Sequence, residues 1–229
     1  MAIATSASTV EGGRPAWEKY SEYDEAAHWV AARGEFDALE DFLRGRSGAP
    51  TVDPNNKDRS GRNLLHRVAG WGHPISFISL LKDNEVDIDA TDELGWSALH
   101  FSAANGYSHV VSYLLKSRAS ASTADISGRQ AIWYAARNGH SDVVKALCNA
   151  PGIDLNAADC QGRTPLHAAA AALAIEAPVA KNSARPPVNE EAQAECVRIL
   201  LAAGAVKQAD LEGKQPAQIA YSAAIKALL

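Results

Sequence analysis

Seven histidines punctuate the chain, at positions 28, 66, 73, 100, 109, 140 and 167. In a protein of 229 residues they raise the prospect of two chemistries. Imidazole is a common metal ligand, and its charge changes near neutral pH, so a convergent set would hold a metal or move protons. Acids accompany them at Asp58, Asp92, Asp125, Asp159 and Asp210, and thiols at Cys148, Cys160 and Cys196. The spacing argues against both uses. An odd number of cysteines without a C-x-x-C pair fits neither a zinc site nor a disulfide framework. The sequence has no G-x-S-x-G elbow, no phosphate loop and no His-Glu-x-x-His helix. "GGR" at 12–14 lacks the Lys-Ser/Thr that would complete a phosphate loop.

The acids and histidines recur instead. Each of the five aspartates stands three residues before a glycine: Gly61, Gly95, Gly128, Gly162 and Gly213. The first four glycines are 34, 33 and 34 residues apart. His28, His66, His100 and His167 share one place in the period, and His73 and His140 another; Trp133 stands at the first place in the fourth unit. Histidines one unit apart are spread along a stack and cannot converge on one ion or substrate. Their expected role is to tie adjacent turns together, and no catalytic residue, metal or cofactor is expected.

The period reads as turn, helix, reversal, helix. Asp bonds its own downstream backbone and Gly tolerates positive φ, which makes Asp-x-x-Gly a turn. Thr164-Pro165 opens a helix, and Ser97 takes the Thr part in the third unit. Ala103-Ala104 and Ala135-Ala136 keep the first helix thin, and Gly34, Gly72, Gly106 and Gly139 end it. "VVSYLL" and "VVKALC" carry the apolar stripe of a second helix, which only stacking can bury. This pattern, D-x-x-G-x-T-P-L-H-x-A-A-x-x-G-H, resembles the ankyrin repeat. The resemblance runs from about Asp24 to Leu229 and implies an all-α solenoid of helix-turn-helix units with short hairpin-like turns. The expected division is a flexible tail at 1–19 and a repeat domain at 20–229, with units near 24–56, 57–90, 91–123, 124–157 and 158–208, and a cap at 209–229.

Two breaks interrupt the period. Residues 45–57, "GRSGAPTVDPNNK", read as a longer link. After "TPLHAAAAALA" the Gly-His reversal is missing, and Gly162 to Gly213 spans 51 positions. The extra segment, 174–191, holds Pro178, Pro186 and Pro187 and reads as a mobile loop within one unit, on a face often used for binding. The end units, with Trp17, Tyr20, Tyr23 and Trp29 at one end and "KQPAQIAYSAAIKALL" at the other, read as atypical caps.

The ankyrin resemblance implies function through binding another protein, at the turn tips and along the concave side of the first helices. Carried onto this chain, the tip positions are Arg59, Arg62, Glu93, Leu94, Trp96, Ile126, Arg129 and Arg163. The helix positions are Arg33, Trp71, Asn105, Arg137 and Asn138. Tryptophan and arginine are enriched at binding hot spots, so Trp71 and Trp96 are the expected anchors, flanked by arginines that suit an acidic partner segment with apolar residues. The net charge of −5 and the lack of Lys-rich runs argue against nucleic acid. No apolar run reaches the length of a membrane span, and the N-terminus has no secretory pattern. The expected protein is a monomeric, non-catalytic scaffold or adaptor of the cytoplasm, with the nucleus open to it as well. Two alternatives stand beside it. "DELGWSALH" is similar to the "GWSPLH" unit of gankyrin-type proteasome-assembly chaperones, which have more repeats and no such insert. The chain also suits the regulatory or targeting portion of a larger enzyme.

Overall fold

The computed structural model of the chain describes residues 9–10, 14–15, 23–46, 51–171 and 189–229. Its repeated element starts from an aspartate. Asp92 Oδ1 accepts the N–H groups of Leu94 and Trp96, both at 2.9 Å. The Asp92 carbonyl takes the Gly95 N–H at 3.0 Å. One residue thus satisfies three backbone donors and holds a tight reversal. Asp58, Asp125, Asp159 and Asp210 make the same paired carboxylate bonds. Successive reversals are joined by single backbone bonds: Glu93 N–H to Ser60, Ile126 to Leu94, Cys160 to Ser127 and Leu211 to Gln161, at 2.8 to 3.2 Å.

Helices follow in pairs. They are α1 (Tyr23–Arg33) and α2 (Phe36–Arg44), α3 (Leu64–Trp71) and α4 (Ile75–Asp83), α5 (Ala98–Asn105) and α6 (Ser108–Lys116), α7 (Ala131–Arg137) and α8 (Ser141–Cys148), α9 (Pro165–Ala170) and α10 (Glu190–Ala202), and α11 (Pro216–Ile219) and α12 (Ala223–Leu228). First helices pack in series from α1 through α3, α5, α7 and α9 to α11, and second helices from α4 through α6, α8 and α10 to α12. The core lies between the two layers, filled by Leu39, Phe42, Leu65, Ile78, Leu99, Leu114, Ile132, Leu147, Leu166 and Leu200. Each such side chain contributes roughly 1.5–3 kcal/mol on burial. Only neighbouring units can bury it, so the units stand or fall together.

One expected boundary shifts. Asn189 caps α10 by accepting the Glu191 N–H at 3.0 Å, so Glu190 and Glu191 are helical and the insert ends before them. In the expected flexible tail, β1 (Thr9–Val10) pairs antiparallel with β2 (Arg14–Pro15). The rest of the tail, Trp17, Tyr20 and residues 172–188, and with them the loop reading of the insert, lie outside the described residues.

Close stacking constrains the helix ends. Gly106 ends α5 at φ +80, and a Cβ there would come within 2.6 Å of the His140 ring from the next unit. Gly152 has a similar φ of +75, but nothing lies within 4 Å of the position its Cβ would take. Both alanine variants pay the left-handed cost of about 1 kcal/mol, and only Gly106→Ala must also displace a neighbour. Urea denaturation should therefore show Gly106→Ala losing more stability than Gly152→Ala, by at least about 1 kcal/mol. Equal losses would mean that the units are not in this close contact.

Candidate functional site

The histidines prove to be joints of the stack. His100 Nε2 donates to the Arg129 carbonyl of the next reversal at 3.1 Å, and its Nδ1 accepts the Ser97 N–H at 3.1 Å. His167 repeats the arrangement, with Nε2 donating to Lys214 O and Nδ1 accepting the Thr164 N–H, both at 3.1 Å. A carbonyl can only accept, so Nε2 carries the proton and the ring is neutral. His66 and His28 likewise reach Trp96 O and Asn56 O, each at 3.0 Å. Burial lowers the His66 pKa to about 4, and it also lowers those of His100 and His167. Among the described residues no group of three or more His, Cys, Asp or Glu is placed to hold a metal.

A second set of donors serves the ends of the first helices. The carbonyl two residues before each helix-ending glycine faces the next unit. Ala32 O receives His73 Nε2 at 3.0 Å, and Gly70 O receives Asn105 Nδ2 at 2.9 Å. Ala104 O receives both Asn138 Nδ2 and His140 Nε2, at 2.8 and 3.1 Å. Arg137 O receives Gln193 Nε2 at 2.8 Å. Asn105 and Asn138, expected to contact a partner, are therefore committed to the stack. Gln193, fully buried on α10, takes the histidine's part after the insert and was not singled out from the sequence.

Arginines and rings cover the remaining first-helix surface. Trp96 lies 5.0 Å from the Phe101 ring and 4.4 Å from that of Tyr134. Trp96, an expected anchor, is half-buried and joins the third unit to the fourth. Arg62 pairs with Asp92 at 3.2 Å and stacks on Phe101, and Arg129 pairs with Asp159 at 3.2 Å and stacks on Trp133. Arg163 pairs with the same Asp159 carboxylate at 2.8 Å. Burial works against ionisation of Asp159, but the Arg163 guanidinium and the N–H bonds from Arg163 and Gln161 outweigh it and hold its pKa low. Arg59 bonds Glu25 at the surface, Arg33 bonds Glu35 and stacks on Trp29, and Arg137 stacks on Trp133. Among the predicted residues Arg33, Arg59, Trp71, Glu93, Leu94 and Ile126 are exposed; Trp71 is 54% and Ile126 72% accessible.

The ankyrin-repeat family pattern matches residues 27–125 and 117–177. The chain belongs to the ankyrin-repeat family. Ankyrin repeats bind other proteins and are generally non-catalytic, so the family accounts for the histidines as structure. Similar proteins share the repeats and little else. Calmodulin-binding transcription activator 4 of Arabidopsis thaliana is 34% identical over 93 residues, which is 41% of this chain and 9% of that protein. Palmitoyltransferase AKR1 of Lachancea kluyveri is 35% identical over 101 residues, 43% of this chain and 13% of that protein. Protein phosphatase 1 regulatory subunit 27 of Mus musculus is 29% identical over 94 residues, 41% of this chain and 57% of that protein. In each case the chain spans less than two thirds of its relative.

The neutral joints of the ankyrin stack make it sensitive to acid. The folded-state pKa of His66 lies near 4, below the ordinary 6.5. Above pH 6.5 both folded and unfolded forms are neutral, and stability is complete. As pH falls from 6.5 towards 4 the unfolded chain takes up protons that the fold refuses, and stability drops. His66 alone accounts for roughly 3 kcal/mol of that loss, with His100 and His167 acting in the same direction. Asp58 and Asp159, whose pKa values are depressed below 3.8, add their loss only below that pH. Denaturant titrations at pH 7 and 4.5 should differ by several kcal/mol; a flat profile over this range would exclude neutral joints. Separately, Gln193→Ala should cost about 1–3 kcal/mol by leaving the Arg137 carbonyl unpaired, read as a lower urea midpoint.

Proposed function

We propose that the chain is a non-catalytic binding module for another protein, with its contact surface running over the turn tips and the concave side of the first helices. One observation carries this reading: Trp71, Leu94 and Ile126 project 51–72% accessible from a stack whose other large apolar side chains in the second to fourth units, Ile75 excepted, are buried or half-buried. Exposed apolar groups beside polar rims are a mark of interaction surfaces, and a tryptophan supplies a large contact area for little lost freedom. Guanidiniums at Arg62 and Arg129 border the same surface. Free thiols at Cys148 and Cys196, raised by burial to about 11 and about 12, suit a reducing compartment, which we take to be the cytoplasm.

A second reading has its own support. The transcription activator and the palmitoyltransferase are far longer than the stretch they share with this chain, which covers 9% and 13% of them. The chain would then be the targeting or regulatory portion of a larger protein, and its binding surface would serve an activity carried elsewhere.

Affinity capture with cross-linking tests the surface under either reading. Trp71→Ala and Ile126→Asp should each lose the proteins retained by the unaltered chain at an unchanged melting temperature. For a central anchor the loss should be about 2 kcal/mol or more. Trp96→Ala should instead lower the melting temperature, because its ring joins two units. Retention of the same proteins by both surface variants would move the interface off this face.

A further inference from the structure

Along the first-helix face most guanidiniums already sit beside a carboxylate. Arg33 meets Glu35, Arg59 meets Glu25, Arg62 meets Asp92 and Arg67 meets Asp58. Arg129 and Arg163 share Asp159. The link from the second unit to the third is different. From Asp83 to Glu93 the chain holds Asp83, Glu85, Asp87, Asp89, Asp92 and Glu93, and no basic residue. Asp92 is buried, spent on its turn and on Arg62. The others are exposed, and among the described residues none of them takes part in an ion pair.

Three of these acids share the third reversal with an exposed apolar pair. Glu93 and Leu94 follow Asp92 at its tip, and the Ile126 N–H bonds Leu94 O at 3.1 Å, so Leu94 and Ile126 stand on adjoining tips. Glu93 leans over the preceding reversal: its N–H bonds Ser60 O at 3.2 Å, and its Cγ lies 3.0 Å from the place of a Cβ on Gly61. At the stem of the same reversal a hollow of about 380 Å³ opens, lined by Asn55, Lys57, Asp87, Asp89, Ala90 and Thr91. Backbone donors fix its carboxylates. Asp87 Oδ1 accepts the Asp89 N–H at 3.0 Å, and Asp89 Oδ1 accepts the Ser120 N–H at 2.8 Å. The second oxygen of each is left for a visitor. Lys57 also lines the hollow, with its ammonium held on Thr91 O at 3.0 Å. From tip to stem, Glu93, Asp87 and Asp89 thus stand against one ammonium, and an incoming cation would meet net attraction.

We propose that the reversals of the third and fourth units dock a partner segment in which apolar residues stand beside a lysine or arginine. The apolar residues would cover Leu94 and Ile126. The basic side chain would pass Glu93 towards Asp87 and Asp89, its aliphatic stem on the reversal and its charge at the hollow. The inference rests on reading the turn tips as a partner surface, and adds to it the sign of the charge that the partner brings. An acidic segment would find the arginines of this chain beside carboxylates already, and would approach a chain that carries −5. Exposed carboxylates of this kind contribute less to affinity than the apolar contact and more to the rate of encounter and the choice of partner.

A random dodecapeptide display library, selected on the immobilised full chain, tests the two layers separately. Selected peptides should carry Lys or Arg at a fixed position beside apolar residues. Fluorescence anisotropy of the best peptide should show about threefold weaker binding to Glu93→Gln and at least about tenfold weaker binding to Glu93→Lys. Replacing the peptide's base by glutamine should weaken binding to the unaltered chain by a similar factor. Added salt should weaken binding to the unaltered chain more than binding to Glu93→Gln, because one screened pair has gone. Asp142→Asn, on α8 at the far end of the helices, should bind as the unaltered chain does. Leu94→Asp and Ile126→Asp should abolish binding, and melting curves confirm that each variant is folded. Selected peptides with a fixed acid or no fixed charge, or with full affinity for Glu93→Lys, would overturn the basic segment while leaving the partner surface intact. Peptides that still bind both Leu94→Asp and Ile126→Asp would remove the surface itself. A library that yields no binder would count against both layers.

Discussion

Every helix ends on carbonyls that its own residues cannot pair, and in this stack the next unit pairs many of them. Ala32, Gly70, Ala104 and Arg137 each accept a side-chain donor from the following unit. Much else follows from this requirement. Donor and carbonyl must meet within about 3 Å, so the first helices must be thin, and alanine fills them. Glycine must end them where a neighbouring ring lies against the backbone. Histidines must stay neutral to serve both the cap of one unit and the turn of the next. The hydrophobic core supplies most of the energy, but these lateral bonds set the spacing at which it closes.

Much of this architecture was legible in the sequence because it repeats. The aspartates at their glycine spacing stated the turns, and the Thr164–Pro165 pair stated a helix start. Periodic histidines stated that they were not a site. What escaped the reading depends on distances between units. Nothing in "LGWSALH" says that Trp96 will meet Tyr134 from the next unit, or that Asn105 and Asn138 will turn back to a preceding carbonyl. Arg62, Arg129 and Arg163 look like free surface cations until the partner aspartates are seen beneath them. Gln193 had a signal that period counting hides. Aligned on its own apolar stripe, with Cys196, Val197 and Leu200 set on Val143, Val144 and Leu147, α10 places Gln193 at the position of His140.

Membership of the ankyrin-repeat family accounts for the stack and stops there, since proteins as different as a transcription activator and a palmitoyltransferase share it. The individuality of this chain lies where its units disagree. The fourth unit exchanges a satisfied polar joint for an indole under three guanidiniums. The first-helix face as a whole hides carboxylates and displays arginines. The arginine–carboxylate pairs fasten neighbouring units, Arg62 to Asp92 and Arg129 to Asp159, and both features change what a visiting surface would meet.

The bond from Gln193 also bears on how such a chain tolerates growth. Because α10 is fastened to the preceding unit at its second turn, downstream of Asn189, the register of the second-helix layer is set without reference to the number of residues joining α9 to α10. Lengthening that connection adds only about 0.6 kcal/mol for each doubling, while the lateral bond and the stripe beneath it stay in place. The fifth unit is thus a site where sequence can be gained or lost without resetting the stack, provided that a donor survives at position 193.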